Sequence, residues 1–92
     1  MARPAPAPDR SNSPTSRNGC DVLDVIYSID YRERAVITAD DRGMLRVEID
    51  SWDTSDWEYL EIAYWTPTEF SLTDSLENAR KLARETLGIA SG

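Results

Sequence analysis

The chain's most chemically versatile side chains crowd into one stretch. Asp50-Ser51-Trp52-Asp53-Thr54-Ser55-Asp56-Trp57-Glu58 sets four carboxylates and two indoles within nine residues. Oxygen-only ligation of Ca²⁺ is one chemistry open to such a run. The Ca²⁺-loop pattern needs acids at alternate positions followed by glycine, whereas these aspartates stand three apart in a loop without glycine. Aspartates so placed make local turn hydrogen bonds instead. Paired carboxylates also cleave glycosides, but a small sheet with one helix leaves little room for a sugar cleft. General acid–base catalysis most often uses histidine, and there is none. Cys20, the single cysteine, sits beside Asn18-Gly19 with no histidine to take its proton. Glycines 19, 43, 88 and 92 are each isolated, so no phosphate-cradling loop exists. Without histidine or a cysteine pair, a nitrogen- and sulfur-ligated transition-metal site is excluded too. The expectation is no enzyme, no metal and no cofactor.

Recognition is the chemistry left. The chain carries 17 acids and 10 bases, a net charge of −7. Setting aside Arg3, Arg10, Arg17 and Asp9 of the first nineteen residues leaves 16 acids against 7 bases, or −9. Between Arg46 and Arg80 there is no lysine or arginine, and that interval holds Glu48, Asp50, Asp53, Asp56, Glu58, Glu61, Glu69, Asp74 and Glu77. Such a block sets up a negative field. It disfavours direct nucleic-acid binding, which needs cations against phosphates, and favours a protein partner with a basic surface. Trp52, Trp57, Tyr59, Tyr64, Trp65 and Phe70 share the stretch. Tryptophan and tyrosine anchor interfaces, and ring faces beside carboxylates suit arginine or lysine. The candidate partner-binding residues are Glu48, Asp50, Trp52, Asp53, Asp56, Trp57, Glu58 and Glu61. The function expected is a non-catalytic acidic interaction protein, such as a nucleic-acid-mimicking inhibitor or an antitoxin-like neutraliser.

The elements that must position these residues follow from periodicity. Apolar residues alternate from Val22 to Tyr31, the pattern of a strand. Arg32-Glu33-Arg34 reads as a turn and Ala35–Ala39 as a second strand. Asp40-Asp41-Arg42-Gly43 is a turn with its glycine late. Met44–Asp50 forms a third strand, hairpinned to the second, with Leu45, Val47 and Ile49 inward and Arg46, Glu48 and Asp50 outward. Ser51–Asp56 is a polar loop and Trp57–Trp65 a fourth strand, closed by Thr66-Pro67 because proline cannot continue a ladder. A helix follows, capped by Ser71 or Thr73, with Leu72, Leu76, Ala79, Leu82, Ala83 and Leu87 on one face and Gly88 at its end. The predicted fold is α+β: a four-stranded antiparallel meander with one C-terminal helix packed on one face (β-β-β-β-α).

Residues 1–19 hold four of the five prolines and almost nothing to bury, so they are expected to form a disordered Pro/Ser/Arg tail before a single domain spanning 20–92. Their prolines do not fall in P-x-x-P spacing. With no apolar run of the roughly 18 residues a span needs and no secretory signal, the expected location is cytoplasmic, without membrane association. The fourth run is apolar on both sides, more than one helix covers. Its second face is therefore expected to be exposed, covered by the tail, or buried in a homodimer. That last possibility makes a structural or assembly subunit the alternative function, with a small carboxylate enzyme or Ca²⁺ binder third. A strand-rich segment followed by Thr73-Asp74-Ser75-Leu76-Glu77-Asn78-Ala79 is loosely similar to small antitoxin domains of the HicB type. The similarity covers one helix start, lacks the Pro/Gly-rich loop that normally precedes it, and implies architecture only.

Overall fold

The structure, a computed structural model, describes residues 3–8 and 13–89; the remainder of the expected tail, residues 1–2 and 9–12, lies outside them. The elements run β1 (Ser16–Arg17), β2 (Cys20–Tyr27), β3 (Glu33–Ala39), β4 (Leu45–Asp53), α1 (Trp57–Leu60), β5 (Tyr64–Thr73) and α2 (Leu76–Thr86). All neighbouring strands pair antiparallel, in the order β1-β2-β3-β4-β5. The fold is thus α+β with a curled antiparallel meander and a C-terminal helix, but the described residues form five strands rather than four, and an additional helical turn.

The β3–β4 hairpin forms as its alternation dictates, with Ala39 opposite Leu45. Asp40 Oδ1 accepts from the amides of Arg42 and Met44, both at 2.9 Å, and Gly43 takes the positive φ (83°) that the turn demands. The helix begins later than expected. Ser75 is its N-cap and accepts from the Asn78 amide at 3.2 Å. Ser71, Leu72 and Thr73 lie in β5 instead. Gly88 ends the helix as expected: it adopts φ 72°, while the amide of Ile89 bonds back to Arg84 O at 2.9 Å.

Further expectations are corrected, and Ser51, Trp52 and Asp53, read as part of a loop, extend β4. The first strand stops at Tyr27, because Asp30 Oδ1 accepts from Ser28 Oγ (2.7 Å) and the Arg32 amide (3.0 Å) and bends the chain into a turn with Tyr31 at φ 60°. Glu33 and Arg34, read as turn, belong to β3. The fourth strand does not run from Trp57 to Trp65. Residues Trp57–Leu60 are α1, ended by Glu61 in the left-handed region (φ 53°), and β5 starts at Tyr64 and passes through Pro67. Proline is tolerated there for two reasons: β5 is an edge strand, and the pairing slips beside it, from Ile49↔Glu69 to Asp50↔Pro67. Thr68 occupies the slip and donates to Ile49 O at 3.2 Å.

One face of the sheet packs on α2. Ala35, Ile37, Leu45, Val47 and Ile49 meet Ala79, Ala83 and Leu87, with Ile26, Leu76, Leu82 and Ile89 around them. The opposite face was expected to be wet where Arg46, Glu48 and Asp50 point. Only Arg46 stays partly exposed: Val36 and Asp50 are fully buried, and Arg34, Thr38 and Glu48 nearly so. The start of the chain reaches this face. Asn18 (φ 53°) and Gly19 (φ 79°) make a two-residue turn with both centres at positive φ, so β1 folds back on β2 and Arg17 lies across the sheet.

A candidate protein-interaction site

The face opposite α2 has an ionic centre. Arg17 grips Asp50 with both guanidinium ends, Nη1 to Oδ1 at 2.9 Å and Nη2 to Oδ2 at 2.8 Å. Arg34 Nε adds a third bond to Asp50 Oδ2 at 2.9 Å. The bond to Asp50 raises the pKa of Arg17 above the ordinary guanidinium value, outweighing the opposite effect of its partial burial. Glu48 lies between Arg17 (3.8 Å) and Arg46 (3.6 Å). Glu48 and Asp50, although in the base-free interval, are therefore each paired with arginines from outside it and turned into the protein. Beside the centre, a cavity of about 320 Å³ is lined by Arg17, Cys20, Thr38, Arg46, Phe70 and Leu72.

Aromatic rings continue this face. The Arg34 guanidinium sits 4.3 Å from the ring centre of Trp65. Trp65 meets Trp52 (5.2 Å) and Tyr27 (6.1 Å) edge-on, the geometry that ring quadrupoles favour. Trp52 and Trp65 are direct cross-strand partners.

Beyond the rings lies a tip built by the β4–β5 connection. Asp53 Oδ1 accepts from the Ser55 hydroxyl (2.6 Å) and the Ser55 amide (2.8 Å), and Oδ2 from Thr66 Oγ1 (3.3 Å). The Ser55 hydroxyl bond, then the Ser55 amide bond, hold its carboxyl below the usual range. Asp56 accepts from the Tyr64 phenol at 2.8 Å, which pushes that phenol above its ordinary value. These aspartates fix the turn that launches α1. Past them, Glu58 is exposed, and Tyr59, Leu60 and Ile62 stand 84%, 64% and 44% exposed. Against this tip lies the segment 3–8. Trp57 Nε1 donates to Arg3 O (2.5 Å), Trp52 Nε1 donates to Pro6 O (3.1 Å), and Arg3 pairs with Glu61 at 2.6 Å.

Of the eight candidate residues, the structure brings Trp52, Trp57 and Glu61 together around one strand of chain, places Asp53, Asp56 and Glu58 beside them, and puts Glu48 and Asp50 in the ionic centre. Sequence reasoning missed Arg3, Pro6, Arg17 and Arg34 as participants, and noted Trp65 only among the aromatics of the stretch. A signal existed for Arg17: the Asn-Gly pair after it is a strong hairpin mark. Among the described residues no group of three or more histidine, cysteine, aspartate or glutamate side chains is placed to hold a metal ion, and no helix is long and apolar enough to cross a membrane. Compared with protein-family models, curated proteins and solved structures, the chain gives no match to any.

Proposed function

We propose that this chain is a non-catalytic interaction protein that docks on a more basic protein through the tip formed by α1, the loop before it and the start of β5. One observation carries the reading: large apolar side chains at Tyr59, Leu60 and Ile62 stand in water among Asp53, Asp56, Glu58 and Glu61. Exposed apolar groups rimmed by polar ones mark interaction surfaces, and one sign of charge around them steers a partner of the other. The carboxylates repel a phosphate backbone, so the partner is protein rather than nucleic acid. The proposed setting is the cytoplasm, where a lone cysteine stays a thiol. Charge-imitating inhibitors and antitoxin-like neutralisers fall within this class.

Because Asp53 and Asp56 hold the turn, the informative variant changes Glu58→Gln and Glu61→Gln together. With a fluorescent oligoarginine as the basic probe, anisotropy across a salt series should show weaker binding by the variant and a shallower salt dependence, with an unaltered circular-dichroism spectrum. Equal binding by both proteins at low salt would sink the proposal.

A second reading, self-assembly with the acidity incidental, draws on Phe70 and Leu72, which are 55% and 58% exposed on the edge strand β5. It requires a dimer that persists in high salt. A monomer at every concentration in sedimentation would remove it.

A further inference from the structure

The segment lying on the tip has a chemistry of its own. From Arg3 to Pro8 every residue is either a proline or the residue before one. Proline fixes its own φ, and the residue before it is confined to extended conformations. The segment is therefore stiff and extended before it touches anything, and loses little freedom on docking. Its prolines have no N–H, so it presents chiefly carbonyl acceptors. In an extended helix of three residues per turn, carbonyls three residues apart share a face, about 9 Å from each other. Arg3 and Pro6 are so spaced, and theirs are the carbonyls that receive the indole N–H groups of Trp57 and Trp52. The one charged side chain of the segment meets Glu61. Two indole donors at the spacing of one extended turn, with a carboxylate beyond, match an arginine followed by alternating prolines in both hydrogen bonding and charge.

We infer that Trp52, Trp57 and Glu61 form a receptor for an extended arginine–proline peptide, filled in cis by the chain's own residues 3–8 and opened to a partner's segment of the same chemistry when that strap is displaced. This rests on the tip being a docking surface for a basic partner, and specifies which part of the partner is read. The strap competes at high effective concentration because it is covalently linked. A partner's affinity is reduced by the fraction of molecules in which the site is open.

The test uses the full chain and the hexapeptide Arg-Pro-Ala-Pro-Ala-Pro with blocked ends, followed through the tryptophan indole N–H resonances. Arg3→Glu sets a carboxylate against Glu61 and should free the site. The hexapeptide should then bind the Arg3→Glu chain at least about tenfold more tightly than the unaltered chain, as expected when the open state is about a tenth populated or less. It should also shift the Trp57 and Trp52 indole signals. Trp57→Phe in the Arg3→Glu background keeps an aromatic ring, removes one donor, and should weaken binding. A peptide with glycine for each proline keeps the charge and should bind several-fold less well. Equal affinity of the unaltered and Arg3→Glu chains for the hexapeptide, or equal binding of the glycine peptide, overturns the inference. Failure here is distinguishable from failure of the broader reading. If oligoarginine binds in a Glu58- and Glu61-dependent way while the hexapeptide does not bind, the acidic docking surface stands and the peptide receptor falls. If the hexapeptide binds as described while oligoarginine is indifferent to Glu58 and Glu61, the receptor stands and the general charge reading falls.

Discussion

The two faces of the sheet are held by different forces. Toward α2, alanines and branched aliphatics pack together, with the Arg80–Asp24 pair joining α2 to β2. On the opposite side Asp50 is as deeply buried as Ile37, yet its surroundings are two guanidinium groups and a carboxylate. The apolar face draws its stability from area removed from water, which is non-directional and tolerant of small changes in shape. The ionic face depends on complete pairing: desolvating these charges is expensive, and only the bidentate Arg17 clamp together with Arg34 offsets it. The same alternation of side chains along β4 thus feeds two cores, one that a shaved methylene weakens and one that a single lost charge undoes.

The difference can be broken experimentally. Asp50→Asn keeps the shape but leaves Arg17 and Arg34 facing a neutral group. Loss of one partner from a buried pair typically destabilises by roughly 3–5 kcal/mol, so urea denaturation should show a large fall in midpoint, or a chain that no longer folds cooperatively. An indifferent Asp50→Asn would mean that the ionic centre is wet. On the other face, Ile37→Val removes one methylene from a fully buried site and should cost about 1 kcal/mol, measured the same way.

The smallest effect belongs to the tip. The Tyr64 phenol is held protonated by its bond to Asp56, so its folded pKa lies above the ordinary 10.0. A raised folded pKa means the bond contributes its full stability below pH 10.0 and loses it as pH rises through the folded value. A tyrosinate absorbance step displaced to the alkaline side should therefore vanish in Tyr64→Phe. If it persists there, the phenol–carboxylate bond is absent in solution.

Legibility in the sequence divides along similar lines. The β3–β4 hairpin and α2 announce themselves because their signals are local: clean alternation around Asp40-Asp41-Arg42-Gly43, and a helical apolar stripe closed by Gly88. The Arg17–Asp50–Arg34 centre does not, since its partners are 33 and 16 residues apart and period-two patterning assigns outward polar residues to water. Trp57–Trp65 reads as a strand by composition, yet the backbone turns helical at Trp57 and reverses at Glu61. The edge position and the slipped register that admit Pro67 are likewise tertiary facts. At the candidate site, the clustering of carboxylates and indoles was visible, while Arg3 and Arg17, which pair with Glu61 and Asp50, and the Arg3 and Pro6 carbonyls that meet the indoles belong to a segment set aside as tail.

On the function proposed, the tip, and not the rest of this acidic molecule, receives a basic partner. Amide chemical shifts followed while oligoarginine is added test it directly. Shifts concentrated at Trp57, Glu58, Tyr59 and Glu61, fading as salt is raised, are the expected result. Shifts spread evenly over the carboxylates of all elements, or centred on α2, would contradict it.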